Sequence, residues 1–289
     1  IIGESTAAKN RLTAECFEKH GYTALPKEYN VELLDTALGT YSKVGWIKKA
    51  DDSLLYAYIT SLAVDPKRFL VSLAILKTHS AAVCTLALKN FAMGICLNFP
   101  PGHPLYVPDV NSRTYMHWGD TGPKGISTNI ALMAKHVLPG FAIIDGFVGM
   151  ENEGPSRGTP VEHRVAVAGP DVVSVDRVGL ELMGIDYNVV KHVQWASDLG
   201  IGEGNLSAIE IIGESLDSQR RKYKMHPAYE QQIAYQLVSP HPDWTGVDEQ
   251  RPIPLALVNY PNPFNASTMI QFALPVYSYA ELGIFSIQG

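Results

Sequence analysis

The chain has 289 residues, 46% hydrophobic and 18% charged, with a net charge of −6. That composition supports a buried core and excludes wholesale disorder. Without a run of Lys or Arg it also excludes a general nucleic-acid binder, which needs a basic face to meet phosphates, and no run of about 18 apolar residues is present to span a membrane.

The start, "IIGESTAAKN", lacks an initiator Met and a basic-then-apolar signal pattern, so it is read as a strand end entering a helix in a chain whose beginning has been removed. Residues 4–20 are predicted helical, with Ser5 and Thr6 to cap and Gly21 to stop. "NVELLD" (30–35) reads as a short strand, and residues 40–60 show no clear pattern. "RFLVSLAIL" (68–76) is β-branched and apolar enough for a buried strand. It runs into "KTHSAAVCTLALKNFAMG", whose later part has helical spacing. "GDTGPKGIS" (119–127) reads as a loop whose Ser127 caps a helix ending before Pro139. "FAIID" (141–145) and "RVAVAG" (164–169) are predicted strands, the second buried on both faces, joined by a long Gly-containing loop. Asp171 caps a helix over 172–183 that Gly184 stops; Asp186 caps another over 187–199 that Gly200 stops. "AIEIIG" (208–213) closes this part as a strand.

Strands alternating with helices predict an α/β domain over 1–215, a mainly parallel sheet flanked by helices. Ligands in such sheets sit at the carboxyl ends of strands. Residues 216–255 are polar, basic and then Pro-rich, and read as a linker or peripheral segment. Residues 256–289 read as a partial all-β module: Ile270, Phe272 and Leu274 alternate, as do Leu282 and Ile284.

Three cysteines, Cys16, Cys84 and Cys96, form no CxxC pair and are too few to ligate an iron–sulfur cluster. Cys84 and Cys96 read as small buried hydrophobes. Lys77 and His79 are two apart, so an extended backbone points them the same way. With Lys89 and Asn90 they read as a cationic pocket for an anion, His79 serving as proton carrier or ligand; the plainer alternative is a solvated strand end. In the loop, Gly146, Gly149, Gly154 and Gly158 would allow positive φ and aim backbone N–H groups at an anion. Asp145 could orient a base or bind a divalent metal with Glu151 or Glu153, and Arg157 could grip a carboxylate or phosphate. Neither a GxGxxG nor a Walker A sequence is present, nor a GxSxG elbow. Asp176, inside a helix, calls for a partner such as Lys or Arg. His103, His117, His136, His163 and His192 are scattered, each read as structural or exposed.

Two resemblances follow. "YPNPFNASTMIQFALP" with "ELGIFSIQG" resembles the start of the C-terminal sorting domain of the bacterial type 9 secretion system. It implies a secreted or cell-surface protein, that machinery as partner, and an Ig-like sandwich fragment. "AILKTHSAAVCTLALKNFAMGI" and "IIDGFVGMENEGPSRGTP…VAVAGPDVVSVDRVGLELMGID" resemble the domain of unknown function 362 family over about residues 1–215. Lys77, His79, Thr85, Lys89 and Asn90 fall on its first motif. Asp145, Gly146, Gly149, Gly154, Pro155 and Gly158 fall on its second, and Asp171 and Asp176 on its third. Family members are sometimes fused to iron–sulfur modules, whose cysteines this chain lacks, as it lacks the strand–helix portion that precedes "GES". The resemblance implies a fold and a site rather than a reaction. The expectation is a small anionic ligand held by Lys77, Lys89 and Arg157, with Asp145 orienting or ligating. The rivals are a non-catalytic binding protein and a redox partner without its own cluster.

Overall fold

The computed structural model describes residues 1–6, 13–48, 54–106, 112–117, 123–238, 257–260 and 269–272. The chain divides into two compact units, Ile1–Val247 and Asp248–Gly289.

In the first unit the order is β1 (Ile2–Glu4), α1 (Thr13–Lys19), α2 (Leu25–Tyr29), β2 (Leu33–Asp35), β3 (Tyr41–Lys48) and β4 (Leu54–Thr60). Then come β5 (Val71–His79), β6 (Val83–Thr85), α3 (Ala87–Gly94), α4 (Ser112–Met116) and α5 (Pro123–His136). The hairpin β7 (Phe141–Glu151) and β8 (Thr159–Gly169) precedes α6 (Val172–Met183), α7 (Lys191–Asp198), α8 (Leu216–Gln219) and α9 (Tyr229–Val238). The second unit pairs β9 (Leu257–Tyr260) antiparallel with β10 (Met269–Phe272). The expected strand around Leu282 and Ile284, and Leu274, lie outside the described residues.

The central sheet has the order β6-β5-β7-β8. Only β5–β7 is parallel; β5–β6 and β7–β8 are antiparallel. The α/β reading stands, but the sheet is mixed rather than mainly parallel, because 141–169 form a hairpin instead of two strands around a long loop. β7 and β8 persist through the polar residues between Asp145 and Arg164, with a register shift between Gly146 and Val148. Asp145 helps shape this bulge: its Oδ1 accepts from Phe147 N at 2.8 Å, a local side-chain turn.

Packing is one-sided. Ala74, Leu76, Ala142 and Ile144 are fully or almost fully buried, in one core cluster with Leu86, Leu88, Val175 and Leu180. On the other face Val71, Leu73 and Ile75 stay exposed. Strand β8 alternates between half-buried and exposed residues, so it is not buried on both faces. Each fully buried Leu or Ile contributes about 1.5–3 kcal/mol, so the helical side carries the stability.

Local signals act as expected around α6. Asp171 Oδ1 accepts from Val173 N at 2.9 Å and Ser174 N at 3.3 Å, and Gly184 ends the helix at φ 65°. Asp186 caps a short 3-10 turn, 187–189, before α7, and Gly200 follows at φ 67°. Elsewhere the structure differs. Residues 2–4 are strand, and the helix within 4–20 spans only Thr13–Lys19 among the described residues. α5 starts at Pro123, placing Ser127 inside it; Pro at the first helical position is a start signal in its own right. Residues 209–213 form no strand. Within the segment expected as a linker or peripheral segment, Tyr223 is buried in the core of the first unit, and Tyr229 and Ile233 pack against that core.

Candidate functional site

The C-terminal end of β5 is held from three directions. Lys77, Thr78 and His79 pair with Thr85, Cys84 and Val83 of β6. The intervening turn is tight: Cys84 N donates to Ala82 O at 2.7 Å, with Val83 at φ 65°. A β-branched residue in that region is strained by about 1–3 kcal/mol. The turn is stabilised by His79 Nδ1, which accepts from Ala81 N at 2.9 Å and Ala82 N at 3.3 Å, and by Gln232 Oε1 of α9, which accepts from Val83 N at 2.8 Å.

Those bonds settle the histidine's chemistry. With Nδ1 accepting from backbone amides, the neutral ring carries its hydrogen on Nε2. Burial, and then the charges of Lys89, His117, Lys77 and His192, push its pKa well below the ordinary range. His79 is thus a neutral hydrogen-bond donor at physiological pH.

Lys89 lies in the first turn of α3 and is buried. The helix start is capped from afar by Asp176 of α6, whose two carboxylate oxygens accept from Ala87 N at 2.7 Å and Leu88 N at 3.0 Å. The partner expected for Asp176 as Lys or Arg is therefore a helix N-terminus, where a carboxylate meets unsatisfied N–H groups and a favourable dipole. Burial nonetheless pushes Asp176 up to about 7, the two amides pulling the other way. Burial, with Lys77 and Arg113 adding, brings Lys89 down to about 7. Lys77 is lowered by burial but supported by Glu4 of β1. Among the described residues no carboxylate forms an ion pair with Lys77 or Lys89.

Two histidines read as scattered bear electrostatically on this end of β5. His117 and His192 both act on His79, and burial brings His192 down to about 3. Both ring nitrogens of His192, and Thr85 Oγ1, are buried without a hydrogen-bond partner. Arg113 was not singled out by sequence; its guanidinium donates to Met93 O at 2.9 Å and Ser5 O at 2.7 Å. A cleft of about 650 Å³ lies at the other end of β5, lined by Glu4, Val71, Ser72, Leu73 and Asn90; Lys77, His79 and Lys89 are not on its wall.

Asn90 and the second predicted half of the site are built differently. Asn90 is a clamp, donating to Ser72 Oγ at 3.3 Å and Leu73 O at 3.1 Å. Asp145 is exposed on the uncovered sheet face. Glu151 Oε2 accepts from Lys224 N at 2.8 Å. Glu153 and Arg157 are exposed at the hairpin tip. Among the described residues no three His, Cys, Asp or Glu side chains converge as metal ligands. None of Gly146, Gly149, Gly154 and Gly158 has positive φ. Close packing keeps them small: a Cβ on Gly154 would run into Thr78 O and one on Gly158 into Glu151 O, while Gly146 and Gly149 meet the Leu76 and Tyr223 side chains. The hairpin thus supports β5 by contact, with Thr78 Oγ1 donating to Asn152 O at 3.0 Å.

No described helix is long and apolar enough to cross a membrane. The chain is similar to a thylakoid-associated protein of Synechocystis sp., 23% identical over 194 residues. The match covers 67% of this chain and 54% of the relative, so the chain spans about half of that protein's length. No solved structure matches it. The family model described as Domain of unknown function (DUF362) matches residues 1–181, from β1 to near the end of α6, and the chain belongs to that family.

Proposed function

We propose that the first unit binds a small anionic ligand at the Lys77–His79–Lys89 cluster and positions it for conversion. One observation carries this reading: Lys77 and His79 end β5, Lys89 is buried in α3, and among the described residues no carboxylate is ion-paired with either amine. Holding a charged amine away from water without a paired carboxylate costs several kcal/mol, and an anion of the right size offsets that cost and favours the charged lysines. Thr85, opposite Lys77 in the β5–β6 pair, and His192 add buried polar atoms without a hydrogen-bond partner. Asp145, Glu151 and Arg157 take no part in this reading, and a metal is not needed for it.

The test is thermal melting in a panel of small anions at matched ionic strength. A ligand specific to the folded state stabilises by about 2.7 kcal/mol at one hundred times its Kd. At least one anion should raise Tm, and Lys77→Met and Lys89→Met should abolish the rise. No response beyond the salt control, or an equal response in both variants, would falsify the site.

We also propose that the chain is exported and displayed at a bacterial surface through the type 9 machinery, its tail acting as the sorting module. The support is the Tyr260–Asn265 signature and the alternation that follows it. A reporter carrying the completed module should reach the cell surface; one held in the periplasm would refute this localisation.

A further inference from the structure

We propose that the groove beside β8 is a peptide-binding site. It takes one extended segment of another protein as an added strand, with apolar residues at alternate positions and Lys or Arg between them. The site shares no residue with the anion cluster proposed above.

The groove, about 930 Å³, runs between the outer edge of β8 and residues 208–214. Its two long walls are backbone. β8 ends the sheet, so along one side its N–H and C=O groups have no strand partner. The facing segment is unpaired too: among the described residues no backbone–backbone hydrogen bond involves Glu210–Glu214. Its sequence, "AIEIIG", is rich in β-branched residues, and Ile209 is extended at φ −92° and ψ 120°, yet it joins no sheet. A strand laid between the two walls can hydrogen-bond to both.

The floor is apolar. Val175, Val178 and Leu182 lie three and four residues apart on α6, so one helix face presents them to the groove. Val165 and Val167 of β8 pack on the same core, while Ala166 and Ala168 are exposed. An added strand continues that alternation, its inward side chains resting on α6 and its outward ones in water. Both ends are closed. Arg221 Nη1 donates to Glu162 O at 2.6 Å, covering the edge before Arg164, and Asp171 caps α6 beyond Gly169.

Charge selects the occupant. Among the charged lining residues, Arg164 is paired with Glu162 and Asp171 is engaged in its cap. That leaves Glu210 and Glu214, exposed and without an ion pair among the described residues. Two unpaired carboxylates favour a basic peptide. A second copy of the chain is the poorer occupant: its own β8 carries a four-stranded sheet behind it, and 208–214 closes the far side of the groove.

The test is fluorescence anisotropy of a labelled Val-Lys-Val-Lys-Val-Lys peptide titrated with the full chain, together with hydrogen exchange. Binding is expected, with exchange slowed at amides of 164–169 and 210–214. Glu210→Lys combined with Glu214→Lys should weaken binding by about tenfold and leave Tm unchanged, since both side chains are exposed. A Val-Glu-Val-Glu-Val-Glu peptide should not bind. N-methylation of every valine or of every lysine strips the donors from one edge of the peptide, and either should abolish binding by the wild type, an arm that needs no variant to fold. No binding by the wild type overturns the site, as does binding that survives N-methylation or leaves β8 exchange unchanged. Protection of the β8 edge without peptide also overturns it. If that protection is independent of chain concentration, 208–214 closes on β8 itself; if it grows with concentration, a second copy fills the groove.

Discussion

At the scale of single residues, the costliest feature is the Lys89 amine. Its pKa is depressed from 10.5 to about 7, so it costs stability when protonated. The cost is absent above the unfolded value, grows as pH falls from about 10.5 towards 7, and is constant below that. Lys89→Met removes it while keeping a similar volume. The variant should therefore be more stable than wild type at pH 7, by about 1–4 kcal/mol in denaturant melts, with the gap closing as pH rises towards 10. A variant less stable at pH 7 would mean that the lysine makes contacts outweighing its burial. Asp176 runs in the opposite sense. Its pKa is raised from 3.8 to about 7, so stability present below the unfolded value is lost as pH rises to the folded one. Replacing a group that lowers stability at rest while removing binding is the expected exchange at a site built for chemistry.

At the scale of elements, α3 owes its position to a residue that belongs to another helix. Asp176→Ala strips both capping bonds and should destabilise by about 2–4 kcal/mol. The amides of Ala87 and Leu88 should gain the most hydrogen exchange. Uniform exchange across the unit instead would show that the cap is not local to α3. The sequence carries only half of this arrangement. Asp171, Gly184 and Gly200 are readable because a cap or a stop acts within a few residues. Asp176 was legible as a helix-interior oddity, but its acceptor role spans 88 residues to Leu88, which no local pattern encodes. His117, just past α4, and His192 of α7 likewise bear on His79 from distant parts of the chain, which their scatter did not show. The glycines of 146–158 were visible, but their cause was not. Glycine serves an anion-binding turn and a close backbone approach equally well, and only the packing of Gly154 against Thr78 separates them. Gly154→Ala therefore tests the support role. A Cβ there must displace the hairpin or the end of β5, costing about 1–3 kcal/mol, and anion affinity should fall with it. Unchanged affinity would detach the hairpin from the site.

At the scale of the whole first unit, a one-sided sheet leaves two surfaces to account for. Helices cover the Ala74, Leu76 and Ile144 side, while Phe69 at 73%, Leu73 at 65% and Phe147 at 61% exposure lie bare. Beside them β8 is an edge strand, and a groove of about 930 Å³ separates it from residues 208–214, with Ile211 and Ile212 exposed there. Exposed apolar side chains near a strand edge favour association in water. The isolated chain should therefore self-associate as concentration rises, seen as a concentration-dependent sedimentation coefficient. Ile75 makes the controlling substitution easy to choose, because it stands opposite Asp145 in the parallel pair. Leu73→Lys with Ile75→Lys adds charge to the bare face and gives Asp145 a cross-strand partner. The double variant should remain monomeric at every concentration and unfold within about 1 kcal/mol of wild type, since neither side chain is buried. Its anion response should persist, since the binding cluster rests on other residues. A wild type that is monomeric throughout would show that this face is too broken to associate. A double variant that loses both stability and anion binding would show that the face shapes the site from behind.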